Sequence, residues 1–411
     1  MEIKLKPLKI KLSRRGAKIR FDSPFSSIEV AEQQLAFLTQ GLAYDNKRLQ
    51  VDVSGPRDLV SKFHSMLNAQ LCIGHLSATI SPFLSNYLVN KCNESNYRVS
   101  FDHILGQLDD CERIVFCGAG PSLYESWGFL EWCLETGYAR VIAGGSAIKA
   151  FSDRGLTPDL CLVCDPNPGV ASRGMVSHEM QLNTVLLAGS GVNPRLLAEW
   201  GGPFALTHGM SALPIGQFME PGKKNVSEGG IGVSTFAMNL ALNLPNVKEL
   251  QLLGVDLGSK DGKIYPDSLG FDNSIDERRE HIWKCEASAI AEIASRATYK
   301  TINLANNGRI IRNTDKVCPN TLIADRMQID NKLTTQPELP GDFIAKMREL
   351  HHELNVLDLT NIAPSPLFKP LLELYHNVYM SRMLYTGEYA AESFLLRIEY
   401  LKGFIENLFP A

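Results

Sequence analysis

The feature that most constrains the fold is a repeated order of short apolar runs, each ending at a turn and several followed by helical apolar spacing. Parallel strands need helical crossovers, so this order predicts a Rossmann-like α/β fold with a doubly wound, mostly parallel sheet. The predicted strands cover residues 114–117, 140–143, 160–164, 184–188, 204–207, 250–253 and 301–304. The predicted helices between them include 123–134, 147–151, 195–200, 233–242 and 277–296.

The pattern divides the chain into three regions. Residues 1–100 are predicted to form an N-terminal α+β domain, 101–315 the Rossmann-like nucleotide-binding domain, and 335–411 a C-terminal helical region. The polar, proline-containing stretch 334–340 is typical of a linker. Basic and apolar residues alternate over 3–20. This alternation predicts a strand whose charged face protects a sheet edge, with a basic site for an acidic partner as the alternative.

Composition predicts a soluble, cytoplasmic protein. The 411 residues are 45% hydrophobic, enough for a sizeable core, and the net charge of −4 gives no general attraction to nucleic acid. No uninterrupted apolar stretch reaches membrane-spanning length, and the first residues lack the apolar core of a secretory signal. The nine cysteines fall mostly in apolar runs, as expected in a reducing compartment.

The turn after the first predicted strand carries the strongest functional signal. Residues 115–123 read VFCGAGPSL, so Gly118 and Gly120 stand between a strand and a helix for which Ser122 is the predicted N-cap. Glycines there expose amides at the positive end of the helix, which favours a phosphate or carboxylate. A tight turn without a ligand uses the same residues, and both interpretations stay open.

Other polar residues follow later strands at the same predicted edge, where doubly wound sheets bind ligands. Gly145 and Ser146 follow the second strand, Asp165 and Asn167 follow the third, and Asp256 follows the strand at 250–253. Gly229, Gly230 and Ser234 open a later helix that offers a second anion site, although close packing of helix on strand would also require glycines.

Four of these motifs resemble one family. The segments CGAGPSL (117–123), GGS (144–146), GLTPD (155–159) running to Asp165, and GGIGVS (229–234) followed by LLGVDL (252–257) are similar to the central domain of motility accessory factor (Maf) proteins. That domain is classed with the 6-hydroxymethylpterin diphosphokinase MptE-like family. The GPSL segment is also similar to the nucleotide-binding loop of sialyltransferases that use CMP-activated sugars.

The resemblance implies two activities. One is transfer of a nonulosonic acid (pseudaminic, legionaminic or sialic type) from a CMP-activated donor to Ser or Thr of a protein such as flagellin. The other is ATP-dependent diphosphorylation of a pterin. We expect the glycosyltransferase, since the regions flanking the central domain suit a macromolecular acceptor, and a nucleotide-binding protein without turnover is a third possibility. The residues expected to contact the nucleotide are Gly118, Gly120, Pro121, Ser122, Leu123, Gly145, Ser146, Asp165, Asn167, Gly229, Gly230 and Ser234.

The expected chemistry differs between the two activities. Glycosyl transfer needs a base near neutral pH, and His208, at the end of a predicted strand, is the expected base with Asp256 beside the reaction. That reaction is expected to use no tightly bound cofactor and no metal. The diphosphokinase would need Mg²⁺, which Asp165 and Asp256 would then hold, because hard cations prefer oxygen ligands and bridge phosphates.

Overall fold

The structure is a computed structural model. It describes residues 9–14, 17–21, 50–54, 83–93, 95–166, 176–208, 218–223, 232–260, 262–265, 277–305, 308–323, 333–338, 341–355 and 401–406. The chain divides into two compact units, Met1–Ile80 with Leu372–Glu399, and Ser81–Leu371 with Tyr400–Ala411. The boundary predicted at residue 100 falls inside the second unit, to which the helix over 83–91 and the strand at 98–99 contribute.

The first unit contains three described strands: β1 (Lys9–Arg14), β2 (Ala17–Phe21) and β3 (Gln50–Ser54). They pair antiparallel in the order β2-β1-β3. The single strand predicted over 3–20 is therefore two strands, and β1 lies between two neighbours. The expected edge position is wrong for β1, and among these three strands β2 and β3 are the outermost.

The second unit is built on a nine-stranded sheet, in which every pairing of neighbouring strands is parallel. The strand order is β12-β11-β10-β5-β6-β7-β8-β9-β4. The predicted α/β fold is thus confirmed. The strands are β4 (Arg98–Val99), β5 (Arg113–Cys117), β6 (Arg140–Gly144), β7 (Leu160–Val163), β8 (Val185–Ala188), β9 (Phe204–Leu206), β10 (Glu249–Leu253), β11 (Lys300–Asn303) and β12 (Asp315–Lys316).

Helices cover both faces of this sheet. Helices α2, α8 and α9 contribute to one apolar core, and α4, α5 and α7 contribute to the core on the opposite face. The helices are α1 (83–91), α2 (Phe101–Leu108), α3 (Pro121–Tyr124), α4 (Trp127–Thr136), α5 (Ala147–Arg154), α6 (His178–Asn183), α7 (Pro194–Glu199), α8 (Val233–Leu242), α9 (Glu277–Arg296), α10 (Gly341–Asn355) and α11 (401–406).

One helix predicted from the sequence is in fact two. The apolar pattern over 123–134 is divided between α3 and α4, with a break at Glu125 and Ser126. Ser122 was expected to be the N-cap, but Gly120 holds that position and Pro121 is the first helical residue. Proline suits this place because its fixed φ fits the helix and its missing N–H costs no bond.

The order of the strands defines where a ligand is expected. From β5 the chain proceeds outward through β6, β7, β8 and β9, and it then returns to place β10 on the other side of β5. The crevice at such a reversal, beyond the carboxyl ends of the strands, is the usual ligand site of doubly wound sheets. Here it lies between the ends of β5 and β10.

The stretch predicted to be a linker is packed against the sheet. Residues 333–338 run antiparallel to β4, with Val99 paired to Pro337 and the amide of Ser100 bonded to the carbonyl of Gln336 at 2.6 Å. The Arg98 guanidinium also meets the Glu338 carboxylate at 3.3 Å. This segment, which we call the strap, covers one edge of the sheet and leads into α10.

Within the described residues, none of the helices combines the length and apolar character that crossing a membrane requires.

Candidate functional site

The turn after β5 is bonded to the end of β10. The Gly118 amide donates to the Leu253 carbonyl and the Gly120 amide donates to the Gly254 carbonyl, each at 2.8 Å. A Cβ on Gly118 would lie 2.5 Å from the Gly254 carbonyl oxygen. Gly254 itself has a φ of +65°, a conformation that glycine adopts without strain. The glycines are needed here because two backbones approach each other closely.

Asp256 occupies the start of α3. Its Oδ2 accepts hydrogen bonds from the Ser122 amide at 3.2 Å and the Ser122 hydroxyl at 2.8 Å. The same hydroxyl accepts a bond from the Gly254 amide. Burial raises the pKa of Asp256, although the bonds from Ser122 act in the opposite direction. The second oxygen, Oδ1, is buried and has no hydrogen-bond partner among the described residues.

The predicted anion cradle therefore holds one of the protein's own carboxylates. Gly118 and Gly120 bond to β10, Ser122 bonds to Asp256, and Leu123 is fully buried in the core. In the described structure these residues, with Pro121, form a tight turn that is held by hydrogen bonds within the protein. Contact between them and a nucleotide stays a prediction.

The turn after β6 is arranged differently. Gly145 has a φ of +54°, and Ser146 is the N-cap of α5, where no side chain caps the helix. A Cβ on Gly144 would overlap the Phe116 ring, so glycine is required for packing at that position. The amides at the start of α5 thus carry the positive end of an eight-residue helix that no carboxylate caps.

The start of α8 lies against this turn. A Cγ atom of Val233 is 3.5 Å from the place that a Cβ on Gly145 would take. The next residue, Ser234, donates a short hydrogen bond from its hydroxyl to Oε1 of Glu286 on α9. A Cβ on Gly232 would come within 2.9 Å of the Glu286 carboxyl carbon. Gly229 and Gly230 lie outside the described residues.

Glu286 is a site residue that the sequence reasoning missed. Burial raises the pKa of its carboxyl group, and the bond from Ser234 lowers it less. The second anion site expected at Ser234 is not supported, because a carboxylate already lies there. One signal in the sequence pointed to Glu286: it shares a helical face with the buried Trp283 and Ile290, so it interrupts an apolar stripe.

Asp165 follows β7. Its carbonyl accepts a bond from the Asn193 amide at 3.3 Å, and the next carbonyl, that of Pro166, accepts one from the Asn86 side chain at 3.0 Å. Asn167 lies outside the described residues. Strands β5 and β6 separate β7 from β10, so Asp165 and Asp256 end strands about 14 Å apart. The strands therefore do not bring the predicted pair together, and the described residues contain no group of three or more metal-ligating side chains.

His208, at the end of β9, is buried and lies in a group of charged side chains that reaches the surface at Asp102 and Lys223. Its Nδ1 is 2.9 Å from Glu220 Oε1, and its Nε2 is 3.2 Å from Asp102 Oδ1. Lys91 bonds to Glu220 at 2.8 Å, and Lys223 bonds to Asp102 at 2.9 Å. Both ring nitrogens thus face carboxylate oxygens, and Lys91 Nζ also lies 3.5 Å from Nδ1. We call these five residues the His208 network.

This arrangement does not support His208 as the catalytic base. The side chain is 1% exposed, and both ring nitrogens are within hydrogen-bond distance of the protein's own carboxylates. Four strands also lie between β9 and β10, which puts about 24 Å between the ends of these strands. His208 and Asp256, the two expected catalytic residues, are therefore not in one site.

The fold and site geometry define a doubly wound α/β domain whose polar residues gather at the carboxyl edge of the sheet. Residues 86–262 match the family model described as 6-hydroxymethylpterin diphosphokinase MptE-like. The match is to the family whose motifs the sequence resembles, and it covers the part of the chain that carries them.

Two further comparisons complete this picture. A solved structure, that of the MAf glycosyltransferase from Magnetospirillum magneticum AMB-1, matches with a TM-score of 0.47 and 15% identity, over 92% of this chain and 67% of that one. No curated protein matches the chain. The likeness of the GPSL segment to sialyltransferase loops stays a prediction.

Proposed function

We propose that this protein is a transferase that moves a nonulosonic acid from a CMP-activated donor to a protein hydroxyl, as on flagellin. The observation that carries the proposal is the state of three helix starts whose residues were expected to contact the nucleotide. Asp256 occupies the start of α3 and Glu286 that of α8, which leaves the start of α5 at Ser146 without a carboxylate. One open anion position suits a donor with a single phosphate.

In this proposal the donor phosphate lies at the amides of Ser146 and Ala147. These amides are at the carboxyl end of β6, next to the strand reversal where nucleotides bind in doubly wound sheets. The positive φ of Gly145 turns the chain into the helix, and Val233 packs against the turn and fixes its position. The nucleoside would then extend toward Asp165 at the end of the adjacent strand β7.

The name of the matched family favours a second candidate, the ATP-dependent pterin diphosphokinase. A triphosphate normally requires several anion contacts and a divalent ion that bridges its phosphates. The separation of Asp165 from Asp256 by two strands weakens this candidate, because the two carboxylates expected to hold Mg²⁺ follow strands that are not neighbours. The nucleotide preference of the protein distinguishes the two candidates.

The test places a carboxylate at the proposed phosphate position. Ser146→Asp should cap α5 and leave thermal stability unchanged or raised, yet weaken CMP binding at least tenfold, because the carboxylate takes the phosphate's place. Ser177→Asp is the matched control, since Ser177 is the N-cap of α6 and is hydrogen-bonded to Ser152, far along α5 from Ser146. We expect the control to bind CMP as the wild type does.

Calorimetric titration with CMP, ATP and GTP, with and without Mg²⁺, provides the measurement. We expect CMP to bind and its affinity to survive EDTA. Tight Mg²⁺-dependent ATP binding without measurable CMP affinity would establish the diphosphokinase candidate instead. Equal CMP affinity in Ser146→Asp and wild type would move the phosphate site away from α5.

A further inference from the structure

We infer that Glu286 is the general base that removes the proton from the acceptor hydroxyl, an inference that rests on the glycosyl transfer proposed above. Neither Glu286 nor the helix face that carries it was among the residues expected from the sequence motifs. The inference starts from where α9 places this carboxyl group.

Glu286 lies where three elements meet. Its Oε1 accepts from Ser234 at the start of α8, and its carboxyl group fills the space beside Gly232. Val233, between these two residues, packs against the Gly144–Gly145 turn that leads into α5. The carboxyl group is therefore next to the turn that holds the proposed phosphate site, which is where an acceptor must approach the donor sugar.

The surroundings of Glu286 are suited to proton transfer. Among the described residues it forms no ion pair, and its hydrogen-bond donor is the neutral hydroxyl of Ser234. Burial raises the pKa of the carboxyl group above its ordinary value of 4.5. A base is most effective when its pKa is close to the working pH, so this shift brings Glu286 toward the useful range.

The other titratable groups at this edge are less suited to the same role. Asp256 has one oxygen bonded to Ser122 and the other sealed from solvent. Both ring nitrogens of His208 face carboxylates, and four strands lie between β9, which His208 follows, and β10. Glu286 is half-buried and keeps acceptor capacity beyond its bond to Ser234.

In the proposed glycosyl transfer one bond forms at the anomeric carbon of the sugar and one bond breaks. The acceptor oxygen forms a bond to the anomeric carbon of the sugar while the bond from that carbon to the phosphate oxygen breaks. The electron pair of the broken bond leaves on the phosphate of CMP. The hydroxyl proton passes to the ionised carboxylate of Glu286, so the products are the glycosylated hydroxyl, CMP and a neutral Glu286 that later returns its proton to water.

The test measures CMP release from CMP-activated pseudaminic, legionaminic and N-acetylneuraminic acids in the presence of flagellin. Glu286→Gln keeps the shape and can still accept from Ser234, so it should bind CMP as the wild type does and release it about 10²–10⁴-fold more slowly. The matched control is Glu292→Gln, an exposed position on the same helix, which should leave the rate unchanged.

The pH profile separates a base from a structural cap. The wild-type rate should fall below the pKa of Glu286, and this acid limb should be absent in Glu286→Gln. Ser234→Ala removes the bond that lowers that pKa, so it should move the limb to higher pH. A structural role for Glu286 predicts lower stability in both variants with an unchanged limb.

The outcomes are distinguishable from failure of the proposed function. A wild type that binds no CMP and releases none from these donors contradicts the glycosyltransferase itself, and the base with it. A wild type that is active while Glu286→Gln retains at least a tenth of its rate contradicts only the base.

Discussion

At the scale of single residues, the protein uses its own carboxylates where the sequence predicted ligands. Asp256 fills the start of α3 and Glu286 fills the start of α8. A carboxylate at the positive end of a helix is stabilising, so Asp256, which accepts from the Ser122 amide, serves as a cap for α3. The positive potential that made these helix starts candidate anion sites also favours the carboxylates that lie beside them.

Gly120 provides a direct test of that interpretation. A Cβ there would overlap the Asp256 carboxylate and lie 2.7 Å from the Gly254 carbonyl oxygen. Gly120→Ala should therefore lower the free energy of unfolding by about 1–3 kcal/mol, measured by urea denaturation, because the two backbones must separate.

Gly128→Ala is the control for this substitution. Gly128 is exposed on α4, where a Cβ would meet no atom within 4 Å, so alanine should raise the stability by roughly 0.5 kcal/mol. Unchanged stability in Gly120→Ala would show that the turn has room for a side chain. A larger residue at 120 perturbs the fold, so it cannot by itself report on nucleotide binding.

At the scale of elements, the His208 network fixes residues 218–223 to the sheet. Glu220 accepts from Tyr87 and Lys91 of α1 and contacts His208 after β9, while Lys223 reaches Asp102 of α2. Phe218, in the same segment, lies under the ammonium group of Lys346 of α10. One short segment thus contacts residues of α1, α2 and α10 and His208 after β9, and the Lys223 contact with Asp102 is the exposed one.

Glu220 gives this segment a dependence on pH. Burial opposes its charge, but hydrogen bonds and charges from His208 and Lys91 outweigh that effect and lower the pKa of Glu220 from 4.5 to about 2. A carboxylate with a lowered pKa contributes stability above its unfolded pKa and loses it as the pH falls through the folded value. The contribution should therefore be complete at pH 7 and fade between about pH 4.5 and 2.

Glu220→Gln tests this dependence. At pH 7 the substitution should lower the free energy of unfolding by on the order of 3 kcal/mol, because the buried ammonium group of Lys91 loses its charged partner. The difference from wild type should narrow as the pH falls below 4.5. Glu199→Gln removes an exposed ion pair with Arg195, so it should lower the free energy of unfolding by less than about 1 kcal/mol both at pH 7 and below pH 4.5. A pH-independent effect at Glu220 would mean that its charge contributes nothing.

The elements themselves were largely predictable from apolar periodicity. Helices α8 and α9 have the predicted bounds, and the strands differ from prediction by a residue or so at their ends. The spacing of apolar residues shows which face of a helix or strand is buried, and this spacing can be read from the local sequence. The division between α3 and α4 was missed because both halves carry apolar residues at helical spacing.

The site was less predictable, because its geometry depends on the order of strands in the sheet. The sequence placed Asp165, His208 and Asp256 at the same edge, which is correct for each residue. It could not show that other strands lie between them, since strand order is fixed by crossovers far apart in the chain. Glu286 was missed because it comes from the middle of a helix rather than from the end of a strand.

At the scale of the whole molecule, the larger unit is made of two separate parts of the chain. The chain leaves it after residue 371 and returns at Tyr400. Helix α11 buries Leu401 and Ile405, and its Glu406 meets His351 of α10 at 3.3 Å. The last described residues therefore contribute to the same unit as the nine-stranded sheet.

Removal of residues 401–411 tests this contribution. Loss of two buried aliphatic side chains should lower the free energy of unfolding by about 3–6 kcal/mol, visible in scanning calorimetry as a lower melting temperature. Glu406→Gln, which removes only the exposed ion pair, should change it by less than about 1 kcal/mol. A truncated chain that melts with the wild type would show that α11 adds nothing to this unit.

The strap has a consequence for how copies of this protein behave in a crowded solution. Parallel sheets expose hydrogen-bonding groups along their outermost strands, where another chain can pair and begin a fibril. Here β4 and β12, the outermost strands, are each two residues long, and the strap already pairs with β4 through Val99 and Ser100. Pro337, which lacks an N–H to donate, faces Val99 in that pairing. The strap therefore occupies the pairing edge of β4, which discourages another molecule from adding a strand there.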